Sequence, residues 1–323
     1  MTQRSTILAA GLALAMLAIA SIAIGAGDLT LARLVSGDLS ADELQLLLVS
    51  RLPRSFALLL AGAGLAVAGL IMQTLTSNRF VEPSTVGVTE SAALGMLGTT
   101  LIAPSLPVFG KMLVTAAAGL AGAGLFMAIL ARLRLRSGLL VPLVGLILAG
   151  ILQAAGQFIA YRFDLMQSLG AWRLGDFSMV LAGRYELLWI ALVLTLLAIV
   201  FADRFTLAGM GRDKAVGLGL SYGQTVFVGL VIVSLVSAVT MVSVGTIPFV
   251  GLVVPNLVSM AIGDNGRRTV PVVALSGAGL VCLCDILGRI VRAPYEVPVG
   301  TTMGVIGSVI FLALLFRQRP AHG

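Results

Sequence analysis

Val242–Pro271 reads Val-Ser-Val-Gly-Thr-Ile-Pro-Phe-Val-Gly-Leu-Val-Val-Pro-Asn-Leu-Val-Ser-Met-Ala-Ile-Gly-Asp-Asn-Gly-Arg-Arg-Thr-Val-Pro, and this stretch decides how the chain folds. Within it the apolar run Phe249–Ile262 is broken by Pro255-Asn256 and followed by Arg267 and Arg268. A plain membrane-crossing helix needs about 20 apolar residues, and this run is shorter. A broken, half-length helix is stable at membrane depth only where protein or a water-filled cavity surrounds it. Such elements mark transport machinery more often than inert anchors.

The rest of the composition agrees with a membrane setting. The hydrophobic fraction is 59%, the charged fraction 11% and the mean hydropathy +1.07. A soluble domain carries about 25% charged residues, so little of this chain can form an aqueous domain. Glycine is abundant, as expected where helices pack closely in lipid. The net charge is +7, and every cation except Lys111 and Lys214 is arginine. These arginines are spread over many short loops rather than one face, which excludes a nucleic-acid interface. Cys282 and Cys284 stand two apart in an apolar run and read as small buried residues, not as a disulfide or metal pair. The single histidine, His322, excludes a His-based metal site. Gly110-Lys111 lacks the upstream glycine of a phosphate-binding loop and is followed by Met112, and nothing resembles a catalytic triad. No cofactor is expected, and any ATP-driven motion must come from another chain.

Ten spans are expected, making an all-α polytopic membrane domain over residues 1–323: Ile7–Ile24, Phe56–Leu75, Val86–Ala103, Met112–Leu133, Leu139–Ala160, Leu187–Phe201, Thr225–Val244, Phe249–Ile262, Val270–Leu287 and Gly300–Phe316. Met1–Gly27 has features of a signal peptide, but its apolar run is long for one and is read as a retained first span. An even span count puts both termini on one side. With that side cytoplasmic, twelve basic residues lie inside and nine outside, a weak bias of the right sign.

Several features carry a functional and a bland reading together. Arg51-Leu52-Pro53-Arg54, with Arg289 and Arg292, sits at the outer boundary. These guanidiniums suit either an acidic soluble partner or lipid headgroups. Ala202–Leu220 holds a short helix, about Met210–Val216, bracketed by Gly209, Gly211, Gly217 and Gly219; it fits a groove on a cytosolic partner or is a solvated connector. Glu90 and Asp285 are the deepest ionisable residues. Either could carry protons in an ion-coupled secondary transporter, or make a packing contact, with Asp285 pairing Arg289 one turn on. Gln153 and Gln157 share a helix face and either line a hydrophilic path or join two helices. Gly300, Gly304 and Ser308 form a small-residue ridge for a close helix contact, within one subunit or across a dimer.

From Arg51 to Phe316 the order of short motifs resembles the permease subunits of ABC importers for ferric siderophores, haem and vitamin B12. The motifs are Arg51-Leu-Pro-Arg54 with Gly62-Ala-Gly-Leu-Ala and Gly69; Gln73, then Asn78 to Glu82-Pro83 and Gly87-Val88; Trp172 with Gly175; Gly245-x-Ile247-x-Phe249-Val-Gly251-Leu-Val-x-Pro255; and Asp285, Arg289, Glu296-x-Pro298-x-Gly300. The resemblance implies that Arg51, Arg54 and Arg289 grip acidic residues of a periplasmic or lipoprotein substrate-binding protein. It implies that Leu207–Gly219, including Leu207, Met210, Arg212, Asp213, Lys214 and Gly217, seats on two cytosolic ABC ATPases. Asn78 and Phe80 match the inner gate, Ser137 falls near a second gate loop, and the fifth and tenth spans, with Gln153 and Gln157, line a cavity shared with a second permease subunit, identical or homologous. The chain itself is then no enzyme. It departs from the usual pattern at Asn78-Arg79-Phe80-Val81 and Pro255-Asn256, in the manner of the branch that handles catecholate-type siderophores.

Overall fold

Glycines decide where the helices meet. In the computed structural model, a Cβ on Gly62 would lie 2.6 Å from the carbonyl oxygen of Gly277, and one on Gly69 would overlap the backbone of Gly251. One helix, α2 (Ala41–Leu75), therefore lies backbone to backbone against two others, α11 (Val250–Ile262) and α12 (Gly266–Val291). Contacts this close let dispersion and backbone polarity act where lipid supplies no hydrophobic driving force. They make α2 the central post.

The structure describes residues 3–24, 40–133, 140–264, 266–292 and 295–317, which contain helices and turns but no strand. The remaining helices are α1 (Gln3–Ala23), α3 (Val88–Ile102), α4 (Val108–Arg132), α5 (Leu140–Arg162), α6 (Met166–Trp172), α7 (Trp189–Val200), α8 (Ala202–Ala208), α9 (Arg212–Gly217), α10 (Tyr222–Val244) and α13 (Val299–Arg317). Six are long and apolar enough to cross a membrane: α2, α4, α5, α10, α12 and α13. A 64° bend joins Glu186–Val200 to α8, and the apolar parts of α1, α3 and α11 are shorter. These elements occupy the ten apolar stretches read from the sequence, with shifted ends.

Two shifts are corrections. The second stretch starts at Ala41, where Ser40 and Glu43 form a reciprocal N-terminal cap, and not at Phe56. Pro53 lies within this helix. The helix passes through a π turn at Leu47–Arg51, which loosens the ladder, and the carbonyl of Val49 accepts the amide of Ala182 at 2.9 Å. For the ridge Gly300/Gly304/Ser308 it is the reading within one subunit that shifts: a Cβ on Gly304 would meet only Pro248 at 3.9 Å, whereas Gly307 lies against Phe249, so the close contact of α13 inside this chain runs through Gly300, Met303 and Gly307.

Burial separates the long helices. The apolar window of α2 is 72% buried, whereas those of α5 and α13 are each 28% buried. Two equally apolar helices thus leave most of their surface uncovered.

Candidate functional site

Pro255 has no amide, so in a helix it orphans the carbonyl four residues before it, that of Gly251. The sequence pattern led us to expect a break here, yet α11 runs on from Val250 to Ile262. The reason is Gln73 on α2. Its Nε2 donates to Gly251 O at 3.0 Å and approaches Leu252 O at 3.4 Å. A buried side-chain amide replaces the missing backbone donor.

The segment 73–82 clamps α11 along its whole length. At the start of the helix, Phe249 adopts a left-handed conformation (φ 66°) and its amide donates to the Glu82 carboxylate at 3.2 Å, which also accepts from Ser84 Oγ at 2.6 Å. A carboxylate there suits the exposed amides and positive dipole end of a helix. In the middle, Asn256 Nδ2 donates to Leu252 O at 2.7 Å and to Arg79 O at 2.8 Å. Past the end, Arg79 pairs with Asp264 at 2.5 Å, and Asp264 also accepts from Ser259. Asn78, expected at an inner gate, is buried and accepts the Phe80 amide at 2.9 Å. The Phe80 ring stands edge-on to Phe311 of α13 with centroids 6.1 Å apart, and Phe249 contacts Phe311 from the other side at 6.5 Å. The candidate gate is an aromatic cluster fixed by hydrogen bonds. Ser137 lies outside the described residues.

The Ala202–Leu220 segment is more ordered than a loop, since α8 and α9 both lie in it. The short helix is Arg212–Gly217 rather than Met210–Val216. Of the four glycines, Gly211 (φ 96°) and Gly219 (φ 81°) take the left-handed backbone that reverses the chain, while Gly217 closes the helix. Met210, Arg212, Asp213, Lys214 and Gly217 are exposed and Leu207 is half-buried. Ser77 Oγ donates to Gly209 O at 2.9 Å, which ties this segment to the gate loop.

The arginines expected at the outer face turn into the chain. Arg51 donates to the carbonyls of Ile22 at 2.6 Å and Ala23 at 3.3 Å. Arg289 donates to Ser21 O at 2.9 Å, Ser21 Oγ at 2.7 Å and Ile24 O. Together they cap the C-terminal carbonyls of α1, which lack partners of their own. Asp285, 1% exposed, receives Arg54 on one oxygen at 2.6 Å and Arg289 on the other. The expected pairing of Asp285 with Arg289 is present. Both Asp285 oxygens are thus held by arginines. Arg54 also reaches Glu296 at 2.7 Å, and Glu296 is the more exposed member of that pair. Cys282 and Cys284 are free and buried, and among the described residues no three metal-ligating side chains come together.

A cavity of about 270 Å³ lies between α3, α5, α6, α10 and the Gly245–Pro248 turn. Glu90, Gln153, Arg173 and Ser237 help line it, and Glu82 forms part of its floor. Gln153 and Gln157 are exposed on α5, and only Gln153 reaches this cavity. A second cavity, about 370 Å³, lies between Asn78, Arg79, Asn256, Asp264 and the Thr206–Met210 segment, so the candidate gate loop and the segment leading into α9 share a wall. Sequence reasoning passed over Gln73, Ser77 and Asn256 as functional residues. For Gln73 a signal existed: a proline inside a helix-forming run demands a donor from elsewhere.

Known proteins match this chain over most of its length. The permease protein of the petrobactin import system of Bacillus subtilis (strain 168), YclN, is 45% identical over 95% of this chain and 96% of its own length. The ferric-anguibactin transport permease FatD of Vibrio anguillarum is 41% identical over 85% of this chain and 88% of its own. The iron(3+)-hydroxamate import permease FhuB of Bacillus subtilis (strain 168) is 34% identical over 97% of this chain and 83% of its own. Among solved structures, a chain described as a metal-chelate type ABC transporter in an inward-facing conformation superimposes with a TM-score of 0.83 at 23% identity, covering 97% of this chain and 99% of that one. The fold is thus that of the vitamin B12-importer-like permeases, and an ion-coupled carrier finds no support among these relatives. Residues 12–317 match the model of the FecCD transport family, and the chain belongs to that family of multi-pass membrane permeases.

Proposed function

We propose that this chain is the membrane subunit of an ABC importer that carries a ferric siderophore, of catecholate or related type, across the bacterial inner membrane. The observation that carries this reading is the pair of largely uncovered apolar helices, α5 and α13, in a chain related throughout its length to iron-chelate permeases. A second permease chain, identical or homologous, faces α5 and α13, and the cargo passes between the two. Both termini lie in the cytoplasm. Two ATPase subunits seat on the exposed segment Met210–Gly217. ATP binding moves that segment, and the Ser77–Gly209 contact passes the motion to the loop bearing Asn78 and Phe80, so the gates alternate.

A substrate-binding protein delivers the chelate to the outer face. Arg54 is the docking arginine best placed to answer a partner's carboxylate, because its bond to the half-exposed Glu296 can exchange. Arg51 and Arg289 hold the platform beneath it.

The test is reconstitution of the chain with its companion subunits in vesicles and measurement of iron-chelate uptake. Uptake should require ATP and stop with vanadate. Full-rate uptake with no nucleotide, collapsing with an uncoupler, would overturn the proposal.

A further inference from the structure

The 270 Å³ cavity holds more polar demand than the protein meets. At its wall, one carboxylate oxygen of Glu90 and the hydroxyl of Ser237 are buried with no hydrogen-bond partner. Ser237 is 6% exposed. Buried polar atoms are almost always paired, and an orphan at membrane depth is costly. Two orphans on one cavity, from two different helices, indicate that something absent from the chain completes them.

Charge narrows the ligand. Glu82 and Glu90 face Arg173 across this space, two carboxylates against one guanidinium. The Glu82 carboxylate is engaged by Ser84 and by the Phe249 amide, so it serves the fold. Arg173 makes no ion pair with Glu90 among the described residues. An anionic ligand would leave the Glu90 carboxylate without a counter-charge. A cation that also donates hydrogen bonds would satisfy Glu90 by charge and Ser237 by its lone pairs, and Trp172 also lies on the wall. Exposed Gln153 marks the side on which the cavity meets the α5 surface.

We propose that this cavity is a binding site for an alkylammonium group, held by Glu90 and Ser237. Resting on the reading of α5 as one wall of the cargo's path, the site selects ferric chelates that carry a protonated amine arm.

The test uses the chain purified with its companion subunits. Dicyclohexylcarbodiimide, which modifies carboxyl groups in apolar surroundings, is added with or without butylammonium chloride, and modification at Glu90 is read by peptide mass spectrometry. Glu90 labelling should fall about tenfold at butylammonium about ten times its dissociation constant. Equimolar butanol, sodium chloride or potassium chloride should not protect, and labelling at exposed Glu186 should not change. Protection should weaken several-fold in Ser237→Ala and persist in Ser237→Thr. No labelling at Glu90, labelling indifferent to the amine, or equal protection by an alkali cation would each overturn the site. ATP-driven uptake by the same preparation separates the two proposals. Uptake without nucleotide alongside amine protection defeats the importer reading and leaves the site standing. ATP-driven uptake without amine protection defeats the site alone.

Discussion

The two ends of the molecule treat charge in opposite ways. At the end expected to face outward, Arg51, Arg54, Asp285 and Arg289 form one knot: Asp285 is almost wholly buried, and the arginines are spent on it and on the carbonyls that end α1. At the end expected to face inward, Arg212, Asp213 and Lys214 stand in the open on a short helix, and Arg79 meets Asp264 in solvent. Both groups are clusters of charges, and the family resemblance implies docking for Arg51, Arg54 and Arg289 of the first and for Arg212, Asp213 and Lys214 of the second. Burial distinguishes them. Removing one member of a buried set strands the others in low dielectric, whereas solvent screens the loss of an exposed charge.

The contrast can be broken by mutation. The largest effect belongs to Asp285→Asn, which leaves Arg54 and Arg289 without their shared counter-charge. It should cost about 3–5 kcal/mol, read as a markedly lower thermal midpoint of the purified chain in detergent. A midpoint equal to that of the unaltered protein would show that the outer knot is no more structural than the inner charges. Gln73→Ala comes next. It orphans a buried carbonyl beside Pro255 and should cost about 1–3 kcal/mol, with faster amide hydrogen exchange across Val250–Ile262 than across α12. Equal exchange in both helices would mean that Pro255 is served by another donor.

Arg79→Ala removes an exposed pair, Arg79–Asp264, and should cost about 0.2–1 kcal/mol, with the difference from the parent protein shrinking in high salt. A salt-independent loss would move this pair into the buried class. Smallest in stability is Asp213→Leu with Lys214→Leu, expected to lie within about 0.5 kcal/mol of the parent. Its effect is on coupling: ATP hydrolysis by the assembled importer should persist while uptake falls. Normal uptake would remove α9 from the ATPase contact.

The sequence revealed much of the architecture, because hydropathy and helix length are local properties. The apolar stretches were legible to within a few residues at most ends, and so was the i,i+4 pairing of Asp285 with Arg289. The start of α2 was missed because its first turns are polar, and Ser40 and Glu43 announce a cap only to a reader looking for one. The continuity of α11 was missed because the donor that rescues it lies 178 positions away in the chain. The inward turn of Arg51 and Arg289 was hidden for the same reason, since their acceptors belong to α1. Close helix contacts were foreseen in kind, but within this chain the seam of α13 follows Met303 and Gly307 rather than Gly304 and Ser308. Spacing gives a face, and only packing tells which face is used.

The amide that Gln73 lends to α11 has a mechanical consequence. A helix that closes its own ladder is stiff by itself and bends only by losing bonds within its own backbone. Here one rung is supplied by a neighbour, so the straightness of α11 depends on where α2 stands as well as on its own backbone.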